Sequence, residues 1–389
     1  MIVRHLSLAD FRNYVSAEVP LVRGPNLFVG SNGQGKTNLV ESLGFLSTLG
    51  SHRISTDHAM IRQGQEAAII RARLEHAERQ LLAEVQINRS SPNRAQVNRS
   101  VIKTRELPRY FSSVLFAPED LALVRAEPSG RRRFLDELTV LLSPRMSGVI
   151  SDYERVLRQR NSLLKSARSA GVSSGRLGTL EIWDERLIDL GSQIVEARTG
   201  LVEALDPEVA ASYVAVAGDD HHATLSTQLS IAGGDAEDDA APTAGLHRGA
   251  LPAAEAAVLF RSALDRLRRS ELDRGITLAG PHRDDLVLEL NGLPARGYAS
   301  HGESWSFALA LKLASALLLR RESTTGDPVL MLDDVFAELD ESRRERLAAA
   351  VRDFEQVIIT AAVHADVPAE LTGNTVHISR GAIVDAPDE

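Results

Sequence analysis

Polar and apolar positions alternate from the N-terminus up to the apolar run Asn26-Leu-Phe-Val-Gly30, which predicts strands through the first thirty residues. A glycine-rich segment follows, and residues 37–50 then read as a helix, so the order is strand, loop, helix. Residues 67–88 and 94–102 read as further strands, with a Ser-Ser-Pro-Asn turn at 90–93, and predict a β-rich lobe. Beyond about residue 130 the period changes. Val149, Tyr153, Val156, Leu157, Leu163 and Leu164 recur at helical spacing, and Leu180, Trp183, Leu187, Leu190, Ile194, Ala197 and Leu201 step by three and four. The second set forms one stripe, as in a helix that pairs with a neighbour or in an ordinary helical core. A helical hairpin is expected here, connected by residues 166–178.

Residues 233–250 are rich in Gly, Ala and Asp without an apolar period, and predict a mobile, acidic surface loop. From residue 275 the β pattern resumes at 276–280 and 286–290, followed by a helix over 304–322, a buried strand over 328–334 and a last strand over 356–363. No internal repeat is present in the sequence.

A chain of 389 residues that is 43% hydrophobic can bury a large core and form two or three domains. Without cysteine it has no disulfide framework, thiolate metal site or cysteine nucleophile, which suits a reducing compartment. The first residues lack a basic region followed by an apolar run, and no stretch approaches a bilayer span, so a cytoplasmic protein with no membrane partner is expected. A formal net charge of -9 argues against a wholly basic nucleic-acid binder. Positive charge is local. Within residues 87–111, Arg89, Arg94, Arg99, Lys103, Arg105 and Arg109 face the single acid Glu106, a candidate DNA surface whose bland alternative is a solvated hairpin.

The candidate chemistry starts at Gly30-Ser31-Asn32-Gly33-Gln34-Gly35-Lys36-Thr37, which fits the phosphate-binding pattern G-x-x-x-x-G-K-[ST] between a strand and a helix. Glycines let backbone N–H groups turn inward around phosphates at a helix N-terminus. Lys36 is expected to neutralise the β- and γ-phosphates of ATP, and the Thr37 hydroxyl to ligate Mg²⁺. The run Val329-Leu-Met-Leu-Asp333-Asp334 closes on two carboxylates, too costly for packing alone. Asp333 is expected to hold Mg²⁺ through water, and Asp334 to orient or deprotonate the attacking water. Asp334 stands where ATP-binding-cassette ATPases usually place glutamate, which predicts slow turnover. Ser300-His301-Gly302-Glu303 precedes a helix about thirty residues before the acids, where the signature segment of that class lies and faces the ATP of the opposite subunit. Residues 337–340 follow the acids at the place of a dimer-contacting loop.

Nearly three hundred residues separate Lys36 from Asp333, far more than in a transporter nucleotide-binding domain, and the excess contains helices. That is the plan of the SMC and Rad50 class, with a shorter insertion. The expected architecture is an α/β ATP-binding-cassette head built from residues 1–115 and 275–389, with residues 116–274 as an inserted helical arm.

The chain resembles the RecF family of DNA replication and repair ATPases over essentially its whole length. The residues that carry the resemblance are Phe11-Arg-Asn-Tyr14, the loop Gly30 to Thr37, Phe116 to Leu121, Arg131 to Asp136, Gly280 to Leu286, Tyr298 to Gly302 and Leu332 to Asp340. The resemblance implies an ATP-dependent homodimer that binds DNA and, with RecR and RecO, helps place RecA on gapped DNA. It also implies nucleotide contacts from Arg12 and Asn13, and a γ-phosphate-sensing loop at Phe116 to Asp120. The chain departs from the pattern at His301 and Glu303, where the family usually has glutamines, and at Thr360, where transporters use a switch histidine for which His364 is the nearby substitute. Arg131, Arg132 and Arg133 open a helix where the dipole disfavours positive charge, so they need a partner, either phosphate or Asp136 and its neighbours. The alternative function is a transporter-type nucleotide-binding subunit.

Overall fold

Alternation in the first thirty residues becomes three strands, β1 (Ile2–Phe11), β2 (Tyr14–Pro20) and β3 (Gly24–Val29). The structure, a computed structural model, describes residues 1–54, 56–76, 79–170, 178–218, 221–233, 245–323 and 326–384. It divides into two compact units, the first comprising Met1–Leu121, Ala211–Asp220 and His301–Glu389, the second Ala122–Ala210 and His221–Ser300.

In the first unit β1 and β2 join β4 (Ala67–His76), β5 (Arg79–Asn88), β6 (Arg94–Val97) and β7 (Ser100–Ile102) in an antiparallel sheet of order β2-β1-β4-β5-β6-β7. β3 lies in a second sheet with β8 (Ser113–Phe116), β13 (Val329–Asp333), β14 (Gln356–Ala361), β15 (Asn374–Ser379) and β16 (Ala382–Val384), ordered β16-β15-β3-β14-β13-β8 and parallel except at β16. Every residue of β13 and β14 is buried, which is why their sequences read as unbroken apolar runs. Helix α1 (Lys36–Thr48) shares one core with both sheets: Leu39, Val40, Leu43 and Leu46 join Leu6, Ile70 and Val85 from the antiparallel sheet, and Phe28, Met331 and Ile358 from the parallel one. Each such side chain contributes about 1.5–3 kcal/mol of burial, so α1 and the loop before it are held rigidly.

Two more helices lie wholly in this unit. α8 (His301–Glu322) reaches the length and, at a mean hydropathy of 1.2, the composition of a membrane span, contrary to the sequence expectation; 78% of that window is buried inside the fold, where it acts as a core helix. α9 (Glu341–Val351) starts at Asp340, whose side chain accepts a hydrogen bond from the Arg343 N–H at 2.9 Å.

The second unit contains α2 (Leu121–Arg125) apart from its first residue, α3 (Pro128–Leu142), α4 (Met146–Ser169), α5 (Gly178–Ala217) up to Ala210, α6 (Ala253–Arg274) and the short α7 (Ala295–Tyr298). It also contains a sheet absent from the sequence reading, ordered β10-β9-β11-β12, from β9 (Ala223–Gln228), β10 (Leu246–His247), β11 (Asp285–Leu290) and β12 (Leu293–Pro294). β9 reads Ala-Thr-Leu-Ser-Thr-Gln, and its small hydroxyl residues, of which Ser226 and Thr227 are buried, blur the alternation that marks a strand. The expected return to the head at 275 therefore falls at 301, because β11 pairs with β9. Residues 276–280 are not a strand: Thr277 and Leu278 donate their N–H groups to the side chains of Asn161 and Glu271, at 2.8 Å each. Of the expected acidic loop, 234–244 lie outside the described residues, as do 171–177 of the hairpin connection.

Along α5, Leu180, Leu187, Leu190, Ile194 and Leu201 are buried as their spacing predicts, with Trp183 and Ala197 half-buried. Arg160 of α4 is fully buried; it donates to Asp184 of α5 at 2.7 Å, Glu271 of α6 at 2.5 Å and Thr277 at 2.8 Å. One guanidinium thus ties three helices together.

The turn Gly280 to Leu286, unexplained by its sequence, is a second knot. Ser230 donates both its N–H and its hydroxyl to Asp284 at 2.8 Å, Arg198 donates to the Pro281 carbonyl at 2.7 Å, and the Tyr153 hydroxyl meets His282 Nδ1 at 2.7 Å. The arginines of α3 find their partners here as well. Arg131 makes a two-pronged pair with Asp285 at 2.7 Å, and Arg132 donates to the Asp284 carbonyl at 2.8 Å. Arg133 pairs with Glu137, while Asp136 is taken by Arg198. Of the partners offered by the sequence reading, a neighbour of Asp136, Glu137, is used by Arg133, while Arg131 and Arg132 turn to the 284–285 segment.

Candidate nucleotide site

The loop Gly30 to Thr37 joins β3 to α1 and is clamped from two sides. Gly30 has no room for a side chain, since a Cβ there would lie 2.2 Å from the Ile378 carbonyl oxygen of β15. Gly35, at φ +118°, would meet Asn13 and Tyr14, each at 2.8 Å. The turn between β1 and β2 presses on the loop: Asn13 donates to the Gln34 carbonyl at 3.0 Å and the Tyr14 hydroxyl to the Gly35 carbonyl at 3.1 Å. Burial pushes the Tyr14 phenol above its ordinary value, so it stays a donor. From the other side, the turn between β15 and β16 donates the N–H groups of Arg380 and Gly381 to the Gln34 side chain and carbonyl, at 2.6 and 2.9 Å.

Lys36 is buried, with its Nζ 2.8 Å from the Gly30 carbonyl, 3.4 Å from that of Ser31 and 3.5 Å from Asn32 Oδ1. The loop lysine is thus folded over the cradle.

Parallel pairing sets the acids beside this loop. β14 is hydrogen-bonded to both β3 and β13, so its Thr360 sits level with Phe28 on one side and Asp333 on the other. The Thr37 hydroxyl donates to Asp333 Oδ1 at 3.0 Å, and the Thr360 hydroxyl donates to the same oxygen at 2.6 Å. Burial raises the Asp333 carboxyl to about 6, the neighbouring Asp334 and Glu119 push the same way, and the two hydroxyls partly offset the rise. Asp334 stands just beyond, at φ +51°, a conformation that costs a non-glycine residue on the order of 1 kcal/mol, with its N–H held by Thr360 Oγ1 at 2.9 Å. Thr360 thus donates to the Asp333 carboxylate and accepts from the Asp334 N–H, while His364 is exposed on a 3₁₀ turn.

The donor set suits magnesium. Mg²⁺ is commonly held by one or two carboxylates plus substrate phosphates, without a dedicated protein cage. One hydroxyl and one carboxylate oxygen 3.0 Å apart fit that demand, and no cluster of three or more His, Cys, Asp or Glu able to hold a metal occurs among the described residues.

Arg12 stands in the turn between β1 and β2, at φ +55°. Its guanidinium grips Glu41 of α1 through Nε at 2.8 Å and Nη2 at 2.6 Å, and donates to the Ala59 carbonyl at 2.9 Å. Burial alone would raise Glu41, but hydrogen bonds from Arg12 and Ser51 outweigh it and hold the carboxyl below its ordinary value. Glu41 is a site residue missed by the sequence reading; its only signal is a lone carboxylate inside the apolar run of α1. Asn13 accepts from Asn38 at 2.7 Å, and Arg53 donates to Asn38 at 3.2 Å, which makes a relay of side chains around the loop.

In the expected sensing loop, Phe116 ends β8 beside β13, Asp120 caps its turn through the Ala117 N–H at 2.8 Å, and Lys312 of α8 pairs with Asp120 at 2.9 Å. Ser300 immediately precedes α8 and Gly302 lies in its first turn, with the Arg343 guanidinium against it. Of the expected DNA residues, Arg94 lies on β6, Arg99 in the tight turn after it, and Arg89, Lys103 and Arg105 in the flanking connections. All five are exposed and, among the described residues, none is in an ion pair. Arg71 on the same sheet, by contrast, is paired with Glu84.

A family model described as RecF/RecN/SMC N terminal domain matches residues 2–376. The chain is 67% identical over 390 residues to the DNA replication and repair protein RecF of Clavibacter michiganensis subsp. michiganensis, covering 100% of this chain and 96% of that protein. It is 63% identical to the RecF of Leifsonia xyli subsp. xyli, over 99% and 100% of the two chains. Among solved structures, that of the recombination mediator protein RecF-ATP in the RecFOR pathway superposes with a TM-score of 0.85 at 27% identity, covering 98% of this chain and 96% of that one. An Smc head domain of Pyrococcus furiosus, with a TM-score of 0.51 and 14% identity over 98% and 94% of the chains, shares the fold.

Proposed function

Because the chain belongs to the RecF family of DNA replication and repair proteins, we propose that it is an ATP-binding, slowly hydrolysing ATPase whose nucleotide closes two copies on DNA. The observation that carries this reading is the meeting of Thr37 and Asp333, 296 positions apart in sequence and 3.0 Å apart in space, beside a phosphate loop whose lysine is already folded over its cradle. Backbone N–H groups of Gly33 to Thr37 bind the phosphates, and Lys36 neutralises the charge that builds up as the γ-phosphoryl leaves. Thr37 and Asp333 would hold a magnesium ion, which would supply further positive charge at the phosphates. Asp334, fixed by its N–H to Thr360, orients the attacking water from a shorter arm than glutamate offers. Arg12 acts as a positioning residue: through Glu41 it locks α1 against the turn that also presents Asn13 to the loop.

Ser300 and Gly302 face the ATP of the opposite copy, and the resulting homodimer joins the exposed cations of two antiparallel sheets on one duplex or junction. RecR, RecO and RecA are its expected partners, and the cytoplasm its expected compartment. Among the described residues, no feature favours the transporter-subunit alternative.

Phosphate contacts release counterions, so DNA affinity should fall steeply with salt, depend little on sequence and rise with ATP. Charge reversal at both Arg94 and Arg99 should weaken DNA binding and flatten the salt slope by roughly two phosphate contacts per chain while ATP-driven dimerisation survives. Fluorescence anisotropy across a salt series checks this; unchanged affinity and slope would move the DNA surface elsewhere.

A further inference from the structure

Two hairpin turns close on the phosphate loop, and each carries an arginine at a left-handed φ, +55° at Arg12 and +49° at Arg380. That conformation costs an arginine on the order of 1 kcal/mol, and the two-residue turn joining β15 to β16 would be met more cheaply by Asn-Gly than by the Arg380-Gly381 present. The two guanidiniums are used differently. That of Arg12 is taken up by Glu41 and the Ala59 carbonyl. The side chain of Arg380 is exposed and, among the described residues, has no ion-pair or hydrogen-bond partner, although its own N–H is fastened to Gln34 Oε1 at 2.6 Å. The backbone of a strained arginine is thereby fixed to the fifth residue of the phosphate loop, with its charge uncommitted.

We propose that Arg380 is a nucleotide-binding residue that contacts the polyphosphate of ATP. The inference rests on the reading of Gly30 to Thr37 as an ATP site. A planar guanidinium suits a phosphate oxygen pair, and Arg380 is the cation that two backbone hydrogen bonds to Gln34 hold beside the loop. Its contact adds to the loop's own N–H groups without competing with Lys36.

Binding of a fluorescent ATP analogue, with ADP and AMP as competitors, tests the assignment in the full chain. Arg380→Gly removes the charge and relieves the backbone, so Tm should be unchanged within a few degrees while ATP affinity falls about tenfold or more, as for loss of a charge-assisted hydrogen bond. AMP should lose less than ATP, and Arg380→Lys should restore part of the affinity. Wild-type ATP affinity in Arg380→Gly would overturn the proposal, as would an equal loss for ATP and AMP or a fall in Tm that accounts for the weaker binding. Lys36→Met in the same assay separates the two failures: if it too leaves ATP affinity unchanged, the ATP site itself has been misassigned.

Discussion

Replacing Lys36 with Met should leave a folded protein that turns over ATP at most at background rate and binds it more weakly. Lys36 is buried with its Nζ on the Gly30 carbonyl, so its ammonium sits inside the loop instead of reaching in from solvent. A preorganised charge in a water-poor site acts more strongly on the transition state than on bound ATP, because negative charge shifts towards the leaving oxygens as the γ-phosphoryl departs. Loss of one such donor costs on the order of 10²–10³ in rate, or about 3–4 kcal/mol, and the loss should appear mainly in kcat. Methionine preserves the aliphatic stem, so a melting curve close to wild type should separate this effect from misfolding. Steady-state phosphate release decides it, and wild-type turnover would remove Lys36 from the chemistry.

Arg160→Ala should be the most damaging single change in the second unit. It would leave Asp184 and Glu271, both buried, without the guanidinium between them, although Arg268 still reaches Asp184 at 2.8 Å. Breaking one side of a buried ion pair costs about 3–5 kcal/mol, because the remaining charge has neither water nor counterion. The pH dependence has a definite sign. Burial already pushes the Glu271 carboxyl up, and removing Arg160 pushes it further. A folded-state value above the unfolded one of about 4.3 means a contribution fully present below that value and lost as pH rises through the folded one. The deficit of the variant relative to wild type should therefore shrink between pH 8 and pH 5. Thermal melts at both ends check it; a deficit independent of pH would show that Glu271 does not carry the unpaired charge.

The sequence exposed the head most clearly where one physical rule acted alone. Full burial makes β13 and β14 continuous apolar runs, and glycine at positions 30 and 35 is demanded by contacts that tolerate no Cβ. What stayed hidden depends on partners distant in the chain. Thr360 reads as an ordinary strand residue until β14 is hydrogen-bonded between β3 and β13, when its hydroxyl bridges both acids. Nothing local to Arg12 reveals that Glu41 of α1 lies 2.6 Å away. The turn at Gly280 to Leu286 was illegible because Arg131, Arg198 and Tyr153, which give its carbonyls and charged side chains their partners, come from three different helices. The Ser- and Thr-rich β9 concealed the second unit's sheet, and with it the point at which the chain returns to the head.

The central claim is that ATP on the phosphate loop brings two copies together through Ser300 and Gly302. Asp334→Asn keeps the Thr37 and Asp333 oxygens and loses the group that orients water, so it should bind ATP, hydrolyse it slowly and hold the closed state. Multi-angle light scattering of this variant with Mg²⁺ and ATP should give twice the 42.2 kDa chain mass, the chain mass alone without nucleotide, and the chain mass alone with ATP once Ser300→Arg is added. A monomer throughout under saturating ATP, or a dimer indifferent to ATP and to Ser300→Arg, would contradict the account.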